Sequence, residues 1–376
     1  MTDTADTRPV VIELHGVRLK LTSSLAHFSD YVTHTMKPYV VADDAPVDVH
    51  SHLDWVDAPP ARTLETAFAG AGWQLRPDRD LYLDGARFYW LRIDDFTDLH
   101  LAGEVLGSAE RLEVTGRYYF QIGRTPSTEW LYRLRYRRNL ATLEARRFST
   151  LLYYLVYHPI LWRLSRGDGW SVVHGGGVDT PQGAIVLFGM PGCGKSTLSV
   201  GLLADAKRNM LSDNIVLYNK QYVLACPEVL LLDAASLERA AGGAGRLVRT
   251  GERRVYDRDA YRPDHVAMNP SRPAAFFCVE RARETSLEPI AADECARLAT
   301  AGNQLAKEIR RVAINNEVYD LASGTRAPDA AADLRALVGT APCYRLGVGQ
   351  RDSLDRVISA TIEPALAERH AEVAAK

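Results

Sequence analysis

Gly189-Met190-Pro191-Gly192-Cys193-Gly194-Lys195-Ser196-Thr197 fits the pattern G-x-x-x-x-G-K-[ST] at every fixed position. Each residue type there has a chemical reason. Glycines let consecutive main-chain N–H groups turn toward a polyphosphate without Cβ obstruction. Lys195 offers a point charge to the β- and γ-phosphates, and the Ser196 hydroxyl can join a Mg²⁺ shell. The flanks suit the motif. Ala184-Ile185-Val186-Leu187-Phe188 is an apolar run of strand type that ends at the first loop glycine. Residues 197–204 read as a helix whose N-terminus faces the phosphates. A chance glycine turn is the bland alternative, and the strand–loop–helix setting opposes it.

Upstream, residues 171–179 and 184–188 flank Thr180-Pro181-Gln182-Gly183, a favoured β-turn sequence. If Thr180 pairs with Gly183, the constant sum of partner numbers in an antiparallel hairpin sets His174 opposite Gly189, at the mouth of the loop. A histidine there can serve proton transfer, although a lone histidine is commonly structural. Downstream, residues 209–218 form the next strand candidate, expected to run parallel beside the loop strand with its polar residues near the nucleotide. Asp213 stands in apolar surroundings, where a carboxylate needs a partner or a metal. It can hold Mg²⁺ or take a proton from a hydroxyl, and the alternative is an ordinary strand-end aspartate.

His174-Gly175, the phosphate loop and Leu211-Ser212-Asp213-Asn214, in that order, resemble the catalytic core of the HPr kinase/phosphorylase family and its HPr-kinase-like relatives. The resemblance covers residues from about 151 to about 233. It implies a P-loop kinase core using ATP and Mg²⁺, with the serine of a protein or precursor peptide as acceptor. It also implies that Asp213 handles the serine proton and that His174 supports it. The second aspartate of the family's acidic pair is Asn214 here, and the glycine-rich segment used in dephosphorylation has no counterpart. A phosphorylase activity is therefore not implied.

The remaining chain is less specific. Val10-Val11-Ile12-Glu13-Leu14 and the alternating Val17-Arg18-Leu19-Lys20-Leu21 read as a hairpin turning at His15-Gly16. Short strand-like pieces continue to Phe120, so residues 1–140 read as a β-rich N-terminal accessory domain. Asp48, His50, His52 and Asp54 share one face of a strand, either a metal site or simply its wet face. Arg133, Arg135, Arg137, Arg138, Arg146 and Arg147 form the most basic stretch, which reads as a solvated face or a grip for phosphate. Residues 143–164 read as a helix that Pro159 kinks or divides. Residues 141–366 are assigned to the kinase domain, and 367–376 to a charged tail. Within the former, the polar, arginine-rich segment 230–273 is either a mobile cover carrying an arginine or a plain surface loop. The strand 274–279, the helix 293–311 and the strand 344–348 complete the sheet.

Composition bounds the function. The formal charge of −2 over 376 residues gives no global attraction to nucleic acid or an anionic membrane. The cysteines are scattered and never form a C-x-x-C pair, which points to a reducing compartment. The N-terminus lacks the basic and apolar regions of a signal peptide, and the longest apolar stretch is too short to span a bilayer. A cytoplasmic protein is expected, with self-association left open. The sequence reading is thus an α/β fold: a P-loop, HPr-kinase-like core behind a β-rich accessory domain. Catalysis falls to Asp213, His174 and Lys195, and phosphate binding to Gly189, Met190, Pro191, Gly192, Cys193, Gly194, Lys195, Ser196 and Thr197. Ser196 and Asp213 are the Mg²⁺ ligands. Three alternatives stay open: a small-molecule kinase on the same core, a nucleotide-driven ATPase switch, and a carboxykinase-like phosphotransferase.

Overall fold

The computed structural model describes residues 8–57, 74–76, 81–90, 100–108, 110–120, 126–137, 140–250, 259–326 and 329–367. The chain divides into two compact units, Met1–Asp168 with Val312–Ala327, and Gly169–Arg311 with Pro328–Lys376.

In the first unit the strands are β1 (Val10–Leu14), β2 (Val17–Ser23), β3 (Val40–Val41), β4 (Val49–Val56), β5 (Gln74–Arg76), β6 (Leu81–Asp84), β7 (Arg87–Trp90), β8 (His100–Gly107) and β9 (Leu112–Tyr119). They form a nine-stranded sheet in the order β3-β1-β2-β4-β9-β8-β7-β6-β5. Pairing is parallel where β4 meets β2 and β9. His15 (φ 52°) and Gly16 (φ 82°) both take positive φ, as the tight turn of a right-twisted hairpin demands. His50 and His52 lie on the face of β4 opposite the buried Val49, Ser51 and Leu53. His52 Nδ1 is 2.8 Å from Thr22 Oγ1, and Arg111 donates to His50 Nε2 at 3.3 Å. Among the described residues no group of three or more His, Cys, Asp or Glu is arranged to hold a metal ion.

The helix Leu140–Leu152 passes into a π turn, Tyr153–Tyr157, and resumes as His158–Gly167. Pro159 has no N–H and would clash with the carbonyl four residues back. The His158 N–H reaches instead to the Tyr153 carbonyl, so the extra residue absorbs the misfit just before the proline. Aromatic packing explains why these helices join the first unit rather than beginning the second at residue 141. Phe148 lies 5.6 Å from Trp55, and Tyr154 lies 4.8 Å from Trp90, ring centre to ring centre. Asp320 takes hydrogen bonds from Trp162 Nε1 and Arg166 Nε, both at 2.8 Å, which ties Val312–Ala327 to the same unit. In the basic stretch, Arg133 is held by Glu129 at 2.6 Å and by Asp57. The side chains of Arg138 and Arg146 lie outside the described residues, as do residues 251–258 and 368–376.

The second unit begins with β10 (Ser171–His174), β11 (Gly176–Thr180) and β12 (Gly183–Phe188). It continues with β13 (Asn209–Ser212), β14 (Ile215–Tyr218), β15 (Val223–Ala225), β16 (Leu230–Leu232), β17 (Leu247–Arg249) and β18 (Asp259–Pro263). The last strands are β19 (Pro273–Ala282), β20 (Ser286–Ile290) and β21 (Cys343–Gly349). The main sheet is six-stranded, β13-β11-β12-β19-β21-β20, with β12, β19 and β21 parallel. Ala184, Val186 and Phe188 face a core shared with β10, β14 and the helices Ala292–Leu305 and Ala330–Val338. Ile185 and Leu187 face a second core built on the helix Lys195–Leu202 and β16. Burial on both faces explains why this strand is apolar at consecutive positions, each large side chain contributing about 1.5–3 kcal/mol.

The strand 209–218 does not lie parallel beside β12. It breaks at Asp213-Asn214 into β13, which pairs antiparallel with β11, and β14, which pairs with β10 in a separate three-stranded sheet. The parallel neighbour of β12 is β19.

Candidate functional site

The site grows from the end of β12. The helix Lys195–Leu202 begins after Gly194 (φ 106°) without a side-chain cap, leaving its N-terminal dipole open to an anion. At Gly189 (φ 142°) any side chain would be strained and crowded. A Cβ there would lie 2.4 Å from the Val279 carbonyl oxygen and 2.9 Å from Cys193 Sγ. Lys195 is buried, and its ammonium donates to the carbonyls of Gly189 at 2.9 Å and Met190 at 3.1 Å. Burial pulls the Lys195 pKa below its ordinary value, while Cys193, Asp213 and Glu308 oppose that shift. Ser196 and Thr197 are partly exposed on the first turn, and Met190 is exposed at the loop crest.

Strand register brings the other two candidates to the same edge. Thr180 pairs with Gly183 as expected, and the ladder continues to Gly176 opposite Leu187. On its other side β11 sets Gly177 opposite Ser212. Since β13 runs in the same direction as β12 with β11 between them, Asp213 follows Ser212 at the end where Gly189 follows Phe188. Gly176 sits in this crossing, where a Cβ would approach the Ser212 and Asp213 carbonyl oxygens to 3.1 Å.

His174 does not face Gly189 across the hairpin. The chain leaves the ladder at Gly175, and His174 ends β10 opposite Ile215. Its own N–H donates to Asn303 Oδ1 at 2.6 Å. Its Nδ1 lies 3.1 Å from the Asn214 carbonyl, which also accepts from the Gly175 N–H at 3.2 Å. A carbonyl only accepts, so that contact assigns the proton to Nδ1 and leaves Nε2 as the lone-pair nitrogen. Nε2 is buried and makes no hydrogen bond among the described residues. Burial, and then the Lys195 charge, lower the imidazole to about 4, so it is neutral at physiological pH. The bond to Asn214 keeps His174 beside the turn that carries Asp213 despite the changed pairing.

Asp213 is buried at the break between β13 and β14. Three neighbours were not singled out from sequence. Glu228, also buried, accepts from the Ile215 N–H at 2.8 Å and the Asn214 N–H at 3.2 Å through Oε2. Asn303 anchors His174, and Glu308 bears on both His174 and Lys195. Glu228 had a readable signal, an acid inside the apolar run Ala225-Cys226-Pro227-Glu228-Val229-Leu230. Asn303 and Glu308 had none, since only folding carries residues so distant in the chain to this edge. In the segment 230–273, Arg246 pairs with Asp264 at 2.7 Å and Arg249 with Asp259 at 3.0 Å. Gly251-Glu252-Arg253-Arg254 lies outside the described residues.

Compared with known protein families and with curated proteins, the chain matches none.

Proposed function

We propose that the second unit is a nucleotide-dependent phosphotransferase. In particular, it passes the γ-phosphate of ATP to a hydroxyl, with a serine of a protein or peptide as the favoured acceptor. The reading is supported above all by the shared edge: β11 sets the loop ending in Lys195 and the carboxylate of Asp213 at one end of the sheet, and the neutral imidazole of His174 is bonded to the turn that carries Asp213.

Each group has a task matched to its state. The loop amides and Lys195 hold and neutralise the polyphosphate. Asp213 accepts the acceptor's proton, the role a carboxylate at the end of β13 beside the Lys195 charge can fill. His174 Nε2 is an unprotonated acceptor that can orient the attacking hydroxyl, while Nδ1 fixes the ring on Asn214. The donors offered to a metal are hard oxygens, the Ser196 hydroxyl and the Asp213 carboxylate, a set that suits Mg²⁺ sharing its shell with phosphates and water. When bound, Mg²⁺ would neutralise charge on the transferring phosphate. No helix among the described residues is long and apolar enough to cross a membrane.

The test is direct. With Mg²⁺ and γ-labelled ATP, the purified chain should move label to a serine peptide, to itself or, slowly, to water. Nucleotide that binds at this loop but never loses its γ-phosphate removes the proposal. Hydrolysis to water coupled to a change in assembly, with no acceptor labelled, would favour a switch instead.

A further inference from the structure

We infer that Glu228 is a positioning residue for Asp213, and this inference rests on the phosphotransfer reading above. Asp213 and Asn214 belong to neither strand ladder; β13 before them lies in the six-stranded sheet and β14 after them in a three-stranded one. The turn that carries the carboxylate is therefore not fixed by sheet pairing.

Residues 226–228 clasp it from both sides. Before Asp213, the Cys226 N–H donates to Ser212 Oγ at 2.7 Å, and Ser212 Oγ donates to the Cys226 carbonyl at 3.3 Å. After Asp213, Glu228 Oε2 takes the N–H groups of both Asn214 and Ile215. Ser212, Asp213, Cys226 and Glu228 are all buried. A carboxylate is costly to bury, and main-chain amides are among the few partners that offset the cost. Without Glu228 those amides would lose their acceptor, that of Ile215 in a buried place and that of Asn214 in a half-buried one.

The clasp reaches the chemistry through Asn214. Its N–H is held by Glu228 while its carbonyl accepts from His174 Nδ1 and the Gly175 N–H. One peptide segment thus sets both the proton-accepting carboxylate and the imidazole. Glu228 acts by accepting hydrogen bonds at a fixed point, not by touching the substrate.

The amide function of glutamine accepts the same two bonds, whereas alanine cannot, and this separates positioning from charge. Three full-length proteins, wild type, Glu228→Gln and Glu228→Ala, are compared for phosphate release from Mg²⁺–ATP, affinity for a fluorescent mant-ATP, and amide exchange at Asn214 and Ile215. Glu228→Gln should keep turnover within about threefold of wild type, and Glu228→Ala should lower it about tenfold or more with nucleotide affinity within about twofold. The two amides should be protected in wild type and Glu228→Gln and exposed in Glu228→Ala. Unchanged turnover in Glu228→Ala, equal loss in both variants, or parallel loss of affinity and turnover overturns the inference. If Glu228→Ala does not fold, the wild type still decides, because amides that exchange freely there are not held by Glu228. If wild type binds nucleotide but releases no phosphate, phosphotransfer is what fails. The exchange comparison then judges Glu228 alone, and identical exchange in all three proteins counts against it.

Discussion

His174 Nδ1 lies 3.1 Å from the main-chain carbonyl of Asn214, a bond that joins the end of β10 to the turn carrying Asp213. That bond fixes which imidazole nitrogen can act, and burial beside Lys195 fixes the ring's charge.

Acid should therefore weaken the fold through this residue. Unfolded, the imidazole titrates near 6.5; folded, at about 4. Between those values the unfolded chain binds more protons, so stability is complete above the upper value and falls as pH drops toward the lower one. The loss is about 3 kcal/mol at most. Lys195 and Glu308 also bear on the ring, the first deepening the shift and the second opposing it. His174→Gln should flatten the pH dependence of chemical denaturation across this window. An equally steep profile in the variant would show that acid acts elsewhere.

Lys195→Ala removes the charge expected to meet the phosphates. ATP affinity by titration calorimetry should fall about tenfold to a hundredfold, equivalent to about 1.5–3 kcal/mol for a charged hydrogen bond. Undiminished affinity would detach the loop from nucleotide binding.

Asp213→Asn keeps the shape and removes the base. Turnover of γ-phosphate should fall by about 10²–10⁴, with nucleotide affinity nearly unchanged. Wild-type turnover in this variant would take Asp213 out of the chemistry.

Gly189→Ala tests the floor of the loop. The new methyl would meet the Val279 carbonyl at 2.4 Å in a backbone region disfavoured for side chains. Strain and overlap together should cost about 1–3 kcal/mol, visible as a lower melting temperature. An unchanged melting temperature would mean that the loop rearranges freely.

The sequence made the elements around Gly189 legible because their signals are local: glycines where positive φ is needed, an apolar run for a doubly buried strand, Thr180-Pro181-Gln182-Gly183 for the turn. It misplaced His174 because a hairpin register can be extrapolated only while both strands continue, and the chain leaves the ladder at Gly175. It joined β13 and β14 because Asp213-Asn214 interrupts an apolar run without any glycine or proline to announce a break. Glu308 and Asn303 were illegible for a different reason. Their relation to Lys195 and His174 exists only once the helices pack, and no periodicity encodes that.

The hold of the Gly189 and Met190 carbonyls on Lys195 changes what nucleotide binding would mean. The ammonium already has two oxygen acceptors of its own, so an incoming phosphate meets a cation that is partly satisfied, with one N–H left facing only the Cys193 sulfur at 4.0 Å. The measured affinity would report the difference between phosphate and peptide oxygens as partners for one cation.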